Sequence, residues 1–197
     1  PFSAHAKLDP ATGNLLNFGI SSSAGQPSLT VYEFGFPGTL IRRSRFPLSL
    51  QHSNHDFGLT GRHLVFFLSP LILDFGRFIR ERVSVMDALT WEPEKGSRIL
   101  VVPRDSAAGA AFEIPAGAGY CLHLINCHEA GRTLVVDLLE LDQPVYPEYQ
   151  PMPELFGRAP RCRPVRYIID RETQQLLDRR AMSYDLCSDF PSIDPRR

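Results

Sequence analysis

Short β-forming runs separated by turns that contain glycine or proline constrain the fold of this chain more than any other feature. The runs Leu29–Phe34 and Thr39–Arg43 flank the turn Gly35–Gly38, which predicts a β-hairpin. Residues 21–28 are rich in serine, glycine and proline and predict a loop before this hairpin. Phe75–Met86 is the one segment with apolar residues at helical spacing. Repeated hairpins with so little helix indicate an all-β protein.

Three histidines stand just before turns or β-forming runs. His55 precedes the run Leu64–Leu68, His123 precedes Thr133–Leu138, and His5 precedes a turn that contains proline and glycine. The intervals between them are 50 and 68 residues, and one β-propeller blade takes about 40–50 residues before loop insertions. Because propeller blades converge on a central axis, one histidine from the inner strand of each of three blades would meet the others at one point. We interpret these three residues as metal ligands.

Length, charge and cysteine usage narrow the class of protein. The 197 residues suffice for one sizeable domain or for part of a larger one, and the net charge of −1 gives no reason to expect nucleic acid as a partner. No apolar run reaches the roughly 18 residues that span a bilayer. The four cysteines form no C-x-x-C pair and predict reduced, mostly buried thiols in a cytoplasmic protein. Because the first residue is Pro1, we expect an internal segment of a longer protein.

Five segments resemble, in order, the sequence elements of a known family. Ala4–Pro10 resembles its A-H-P-x-x-D-P element, Asn54–Thr60 resembles x-H-D-F-A-I-T, and Leu122–Glu129 resembles F-H-x-x-N-A-x-E. Trp91–Arg104 fits a W-x-P…L-P-R region, and Asp189–Pro195 resembles E-F-P-x-I-x-P. On these segments the chain resembles the carotenoid cleavage oxygenases, which include apocarotenoid and stilbene dioxygenases and the retinal pigment epithelial membrane proteins.

The resemblance implies a fold and a metal site. The fold would be part of a seven-bladed β-propeller with capping loops over residues 1–197, without the family's first blades and its C-terminal part. The family holds a non-haem ferrous ion with four histidines. The first three would be His5, His55 and His123, and the fourth has no counterpart in this chain. Asp189 stands where the family has a glutamate that orients the third histidine. As aspartate is one methylene shorter, we expect it to reach His123 only through a backbone shift or a water.

The activity implied is cleavage of a carbon–carbon double bond of a carotenoid or apocarotenoid with O₂, giving carbonyl products. The partners would then be O₂ and a long apolar polyene. Alternatives are a stilbene-cleaving dioxygenase of the same family, an inactive or incomplete member that binds apolar ligands, and a zinc hydrolase with three histidine ligands. This chain alone, with one ligand lacking, is expected to be inactive.

The helical segment and the remaining polar residues leave further alternatives open. One prediction for Phe75–Met86 is a helix or loop packed in the core. The other is an apolar patch that includes Phe75, Phe78 and Ile79 and either rests on a membrane surface, with neighbouring arginines near the lipid head groups, or lines a substrate entrance. We expect His63 to be solvated, and His52 to neighbour the site or lie at the surface. Asp56 is interpreted as an acceptor of hydrogen bonds within its loop. The sequence indicates no oligomeric state.

Overall fold

The computed structural model describes residues 2–23, 26–105, 109–145, 160–184, 189–191 and 193. Strands dominate it, and most of them belong to three four-stranded antiparallel sheets. The first sheet is a meander in which each strand pairs with the next along the chain. Its strands are β1 (Lys7–Leu8), β2 (Leu15–Ser23), β3 (Gln26–Gly35) and β4 (Thr39–Pro47).

The second sheet has the order β10-β9-β6-β5 and carries an excursion between β6 and β9. Its strands are β5 (Gly58–Leu59), β6 (His63–Leu68), β9 (Arg98–Pro103) and β10 (Phe112–Pro115). The excursion consists of β7 (Leu71–Leu73), helix α1 (Phe75–Glu81), β8 (Leu89–Trp91) and a 3₁₀ turn (Pro93–Lys95). The strands β7 and β8 pair with each other, and Trp91 packs edge-on against Tyr120 with the ring centroids 6.2 Å apart.

The third sheet is again a meander. Its strands are β11 (Tyr120–Ala130), β12 (Thr133–Leu141), β13 (Cys162–Asp170) and β14 (Gln175–Ala181). In each of the three sheets the strand that comes first along the chain lies at one edge, and these edge strands are β1, β5 and β11. The three sheets thus repeat one arrangement, as the hairpin pattern predicted.

The second sheet packs between the other two. Val65 and Phe67 on β6 lie in one core cluster with residues of the third sheet, such as Leu134. Phe66, the residue between them, lies in a second cluster with residues of the first sheet, such as Leu29. Because side chains alternate along a strand, a strand covered on both faces must be apolar throughout. Burial of each such side chain contributes about 1.5–3 kcal/mol.

Two predicted segments differ from the structure. Of the residues predicted as a loop, 21–23 and 26–28 form paired ends of β2 and β3, with Ser21 opposite Ser28 and Ser22 opposite Pro27. Their backbone groups join the ladder although their side chains are typical of loops, because strand pairing uses the backbone. The helix covers only Phe75–Glu81, because Arg82 takes a left-handed conformation with φ 53° that ends it.

Helix α1 is not a core helix. All its residues are described and none is buried, while Phe75 and Ile79 are 49% and 57% exposed. The Asp74 carboxylate caps its N-terminus by accepting a hydrogen bond from the backbone N–H of Arg77 at 2.8 Å. Across the described residues, no helix has the length and apolar character needed to cross a membrane.

Candidate metal centre

The three histidines singled out in the sequence meet in space, one on or just before the edge strand of each sheet. His5 lies two residues before β1, His55 lies three residues before β5, and His123 lies within β11. The Nε2 atoms of His5 and His55 are 2.8 Å apart. One ring nitrogen from each of the three residues lies within 4.8 Å of the other two. The edge strands β1, β5 and β11 therefore carry their histidines to a common point.

His123 is the most buried of the three and presents one unsatisfied nitrogen. Its Nδ1 lies 2.6 Å from Oδ1 of Asp189, so the ring donates a hydrogen bond to that carboxylate. Its Nε2 is buried and has no hydrogen-bond partner among the described residues. A buried polar atom without a partner costs free energy unless a ligand satisfies it. The carboxylate fixes the tautomer that leaves the lone pair of Nε2 available.

Asp189 reaches His123 directly, and neither a water nor a longer side chain is needed. The same oxygen accepts a hydrogen bond from the backbone N–H of Phe190 at 2.9 Å. Phe190 itself adopts a left-handed conformation with φ 47°, and its ring lies 4.7 Å from that of His123. Of the motif that runs from Asp189 to Pro195, Ser192 and residues 194–195 lie outside the described residues.

The cluster fits a metal ion by distance and by donor type. With metal–nitrogen bonds of about 2.0–2.1 Å, two ligands at right angles have their nitrogens about 3 Å apart. The Nε2 atoms of His5 and His55, 2.8 Å apart, already have this spacing, and a ring nitrogen of His123 lies within 4.8 Å of both residues. Imidazole nitrogen suits iron, zinc, copper and nickel. The buried Nε2 of His123, without a partner among the described residues, and the convergence of three imidazole rings are both features expected of metal ligands.

The protonation of the cluster also favours metal binding. Burial lowers the pKa of His5, although the nearby carboxylate of Asp56 opposes this. Burial likewise lowers the pKa of His55, and the neighbouring rings of His5 and His123 lower it further. Neutral imidazole is the form that binds a metal. Lower pKa values therefore keep both residues in the binding form at neutral pH.

Local structure holds each histidine in place. The Ser3 hydroxyl donates a hydrogen bond to the carbonyl of His55 at 2.6 Å and accepts one from the backbone N–H of His5 at 3.1 Å. The ladder between β11 and β12 shifts register on both sides of Leu124, next to His123. Such irregularities often redirect a side chain beside a functional site. The sequence alone gave no signal for Ser3 or for the register shift.

The other histidines do not join the cluster. His52 is buried, with its Nδ1 2.8 Å from the carbonyl oxygen of Ser69. His63 is buried rather than solvated, with its Nδ1 2.9 Å from Oε1 of Glu129. The prediction for His63 was wrong because the turn before it folds against the end of β11, where Glu129 lies. Both residues stabilise the fold through these contacts.

An open cleft of about 1050 Å³ runs beside the cluster. It is lined by the segments that follow the three histidines, residues 6–11, 57–62 and 124–129, together with Ile193. Cys127 borders it, and burial raises the pKa of this thiol and of Cys121 far enough to keep both protonated. Cys187 lies outside the described residues.

Comparisons with known proteins place this geometry in a family. The family model described as retinal pigment epithelial membrane protein matches residues 1–197. The isoeugenol monooxygenase of Pseudomonas nitroreducens is 30% identical over 199 residues, which cover 98% of this chain and 40% of that protein. The apocarotenoid-15,15'-oxygenase of Synechocystis is 28% identical over 143 residues, covering 70% of this chain and 29% of that protein.

Solved structures show the same fold. A mutant of the Synechocystis apocarotenoid oxygenase superposes with a TM-score of 0.85 at 24% identity, covering 100% of this chain and 42% of that one. The cobalt-substituted form of that enzyme gives 0.83 at 23% identity and the same coverage. The chain thus spans less than half the length of the relatives that it matches. With a family match over all its residues, the chain belongs to the retinal pigment epithelial membrane protein family, whose members include carotenoid and apocarotenoid cleavage oxygenases.

Proposed function

We propose that the protein is a non-haem iron dioxygenase that cleaves a conjugated carbon–carbon double bond with O₂ and gives two carbonyl products. A carotenoid or apocarotenoid is the proposed substrate. The observation that carries the proposal is the convergence of His5, His55 and His123, with the buried Nε2 of His123 left without a partner among the described residues. Relatives named as apocarotenoid and carotenoid cleavage oxygenases support the reaction class.

In this proposal the three histidines hold ferrous iron, with a fourth ligand from outside these residues. Ferrous iron, when bound, supplies the dioxygen chemistry. The chain's own residues position the ligands and fix their protonation. Asp189 accepts a hydrogen bond from the Nδ1–H of His123, which favours the tautomer with an unprotonated Nε2 directed into the cluster. Burial keeps His5 and His55 neutral by lowering their pKa values.

The proposed architecture is a seven-bladed β-propeller of which residues 1–197 form a part. Three sheets of one kind, each with its histidine on or before the edge strand, are the units expected of blades around an axis. The likeness to the apocarotenoid oxygenase structures supports this arrangement. The remaining blades and the fourth ligand would come from sequence beyond this chain.

A second candidate substrate is an aryl alkene. The isoeugenol monooxygenase is named for a phenolic ring that carries a propenyl group. It aligns with 98% of the present chain. A lignostilbene dioxygenase from Sphingomonas paucimobilis is 25% identical over 161 residues. Polyene, stilbene and phenylpropene share a conjugated double bond, so the same iron centre would serve each. The substrate pocket would then decide between them.

The proposal extends to membrane contact. Phe75 and Ile79 are exposed on α1, Phe78 is half-buried, and the ring centroids of Phe75 and Phe78 are 6.1 Å apart. Arg80 and Arg82 are exposed beside them. An apolar patch bordered by arginines suits the interface of a membrane, from which an apolar polyene would be taken up. We propose that this patch rests on the membrane surface.

The test is oxygen uptake and product analysis with the full-length, iron-loaded protein that contains residues 1–197. An apocarotenal, a stilbene and isoeugenol are supplied in turn, and the metal content is measured on the same sample. We expect aldehyde products from at least one substrate and about one equivalent of iron. His123→Ala should abolish turnover, whereas Gln175→Ala, which changes an exposed residue on β14 outside the cleft, should retain it. Zinc at one equivalent without iron would favour the hydrolase, and no product from any alkene would favour an inactive binding protein.

A further inference from the structure

A buried carboxylate next to His55 contacts the segments of the other two histidines. Asp56 directly follows His55, and its side chain is 2% exposed. Its Oδ1 lies 2.8 Å from Nζ of Lys7, two residues beyond His5. Its Oδ2 accepts a hydrogen bond of 2.9 Å from the backbone N–H of Leu124, the residue after His123. One side chain therefore connects the segments of three histidines that are 50 and 68 residues apart.

The contacts are not those of the loop acceptor that the sequence suggested. The Asp56 carboxylate points away from its own loop and spans two sheets, while its backbone carbonyl accepts a hydrogen bond from the Asn54 side chain at 2.8 Å. The Leu124 N–H reaches Asp56 at the position where the β11 ladder shifts register. The irregular strand that orients His123 is thus held to the His55 segment by this hydrogen bond.

We propose that Asp56 is a positioning residue that sets the mutual placement of His5, His55 and His123 and thereby the affinity of the centre for its metal. The inference rests on the proposed metal site and deepens it. A carboxylate that belongs to one ligand-bearing segment and contacts the other two constrains the distances between the three ligands. Removal of Asp56 frees all three segments at once, whereas removal of Lys7 frees only that of His5.

A matched control is available elsewhere in the chain. Asp170 is also a buried carboxylate, 1% exposed, which accepts hydrogen bonds from the backbone N–H groups of Glu172 and Thr173 and pairs with Arg132. Its partners lie at the turns beside β12 and β14, away from the three histidines. Asp170→Ala therefore removes the same kinds of contact as Asp56→Ala without freeing a ligand segment.

The experiment titrates cobalt(II) into the apoproteins and follows the visible absorption of the bound ion, which reports affinity and coordination geometry. Loss of a residue that orients ligands typically weakens metal binding about 10–100-fold. We expect a loss of this size and an altered spectrum for Asp56→Ala, and wild-type values for Asp170→Ala. Asp56→Asn, which retains an acceptor for the Leu124 N–H, should give an intermediate affinity and serves if Asp56→Ala does not fold.

Two outcomes would overturn the inference while leaving the metal centre in place. One is wild-type cobalt affinity and spectrum in both Asp56 variants. The other is equal weakening in Asp170→Ala, which would mean that any loss of a buried carboxylate loosens the site. A wild-type protein that binds no cobalt would instead refute the metal centre itself, and the proposed function with it.

Discussion

The contact between Gly58 and Cys127 joins two of the three ligand segments and leaves no room for a larger residue. Gly58 is on β5, just after His55, and Cys127 is on β11, four residues after His123. A Cβ atom placed on Gly58 would lie 2.1 Å from Sγ of Cys127 and 3.0 Å from its Cβ. The family elements that these segments resemble carry alanine at both positions. The glycine and the cysteine thus compensate each other in volume.

Gly58→Ala should destabilise the protein, because the added methyl group overlaps a buried sulfur. Overpacking of this kind costs about 1–3 kcal/mol, and we expect a value toward the upper end because Cys127 lies in the main core cluster. Cys127→Ala should cost about 1 kcal/mol through the lost sulfur. In the double variant the new methyl takes the space of the sulfur. Its free energy of unfolding should therefore exceed that expected from the sum of the single changes by about 1–3 kcal/mol.

Urea unfolding of the wild type, the two single variants and the double variant measures this coupling. Gly61→Ala is the matched control, since no described atom lies within 4 Å of a Cβ at that position. It should stay within about 0.5 kcal/mol of the wild type. Additive losses in the double variant, or a Gly58→Ala protein as stable as the wild type, would refute the packing of β5 on β11 described above.

Three further changes test other parts of the structure. Asp189→Ala should weaken cobalt binding about 10–100-fold because His123 loses the acceptor that orients it. Asp189→Glu, which retains a carboxylate, should restore the affinity. Unchanged affinity in Asp189→Ala would show that this residue does not orient His123. Burial alone would raise the pKa of Asp9, but hydrogen bonds from Thr12 and Arg104 outweigh it and lower this pKa below its ordinary value of 3.8. The stability that Asp9 contributes is therefore present above pH 3.8 and is lost as the pH falls through the lower pKa of the folded state. Urea unfolding midpoints measured between pH 7 and pH 2.5 should fall less steeply with decreasing pH in Asp9→Asn than in the wild type. An equally steep fall in both proteins would contradict the lowered pKa of Asp9. Replacement of both Phe75 and Ile79 by serine should reduce co-sedimentation with anionic lipid vesicles. Leu177→Ser, at a residue of similar exposure on β14, should leave co-sedimentation unchanged. Equal binding by both variants would argue against membrane contact through Phe75 and Ile79.

The sequence predicted the parts of this fold that depend on local chemistry. The turn Gly35–Gly38 and its flanking strands are present, because glycine and proline dictate the turn wherever the chain is placed. The strand Leu64–Leu68 was predicted from its apolar run, and the structure gives the reason for that run by covering both its faces. The loop predicted for residues 21–28 was wrong at residues 21–23 and 26–28, because their strands are specified by pairing partners and not by their own side chains.

The sequence predicted which residues belong to the candidate site, but not most of the contacts that hold them in place. His5, His55 and His123 could be found because each lies in a recognisable motif, and the structure brings them together. The resemblance pointed to Asp189 as the partner of His123, 66 positions away, but only through a backbone shift or a water, and the structure shows a direct contact. Nothing in the sequence predicted the two contacts of the Asp56 side chain, with Lys7 and with Leu124, which is 68 positions away. Such contacts depend on how whole sheets pack, and one sequence carries no record of which distant residues meet. The same holds for the pairing of Gly58 with Cys127.

Anomalous diffraction from crystals of the iron-loaded protein tests the central claim most directly. Data collected on either side of the iron absorption edge show where the metal lies and which atoms surround it. The account predicts one peak within bonding distance, about 2 Å, of a ring nitrogen from each of His5, His55 and His123, with Nε2 as the nitrogen from His123. A peak elsewhere, or a peak bonded to fewer than all three of these rings, would contradict it.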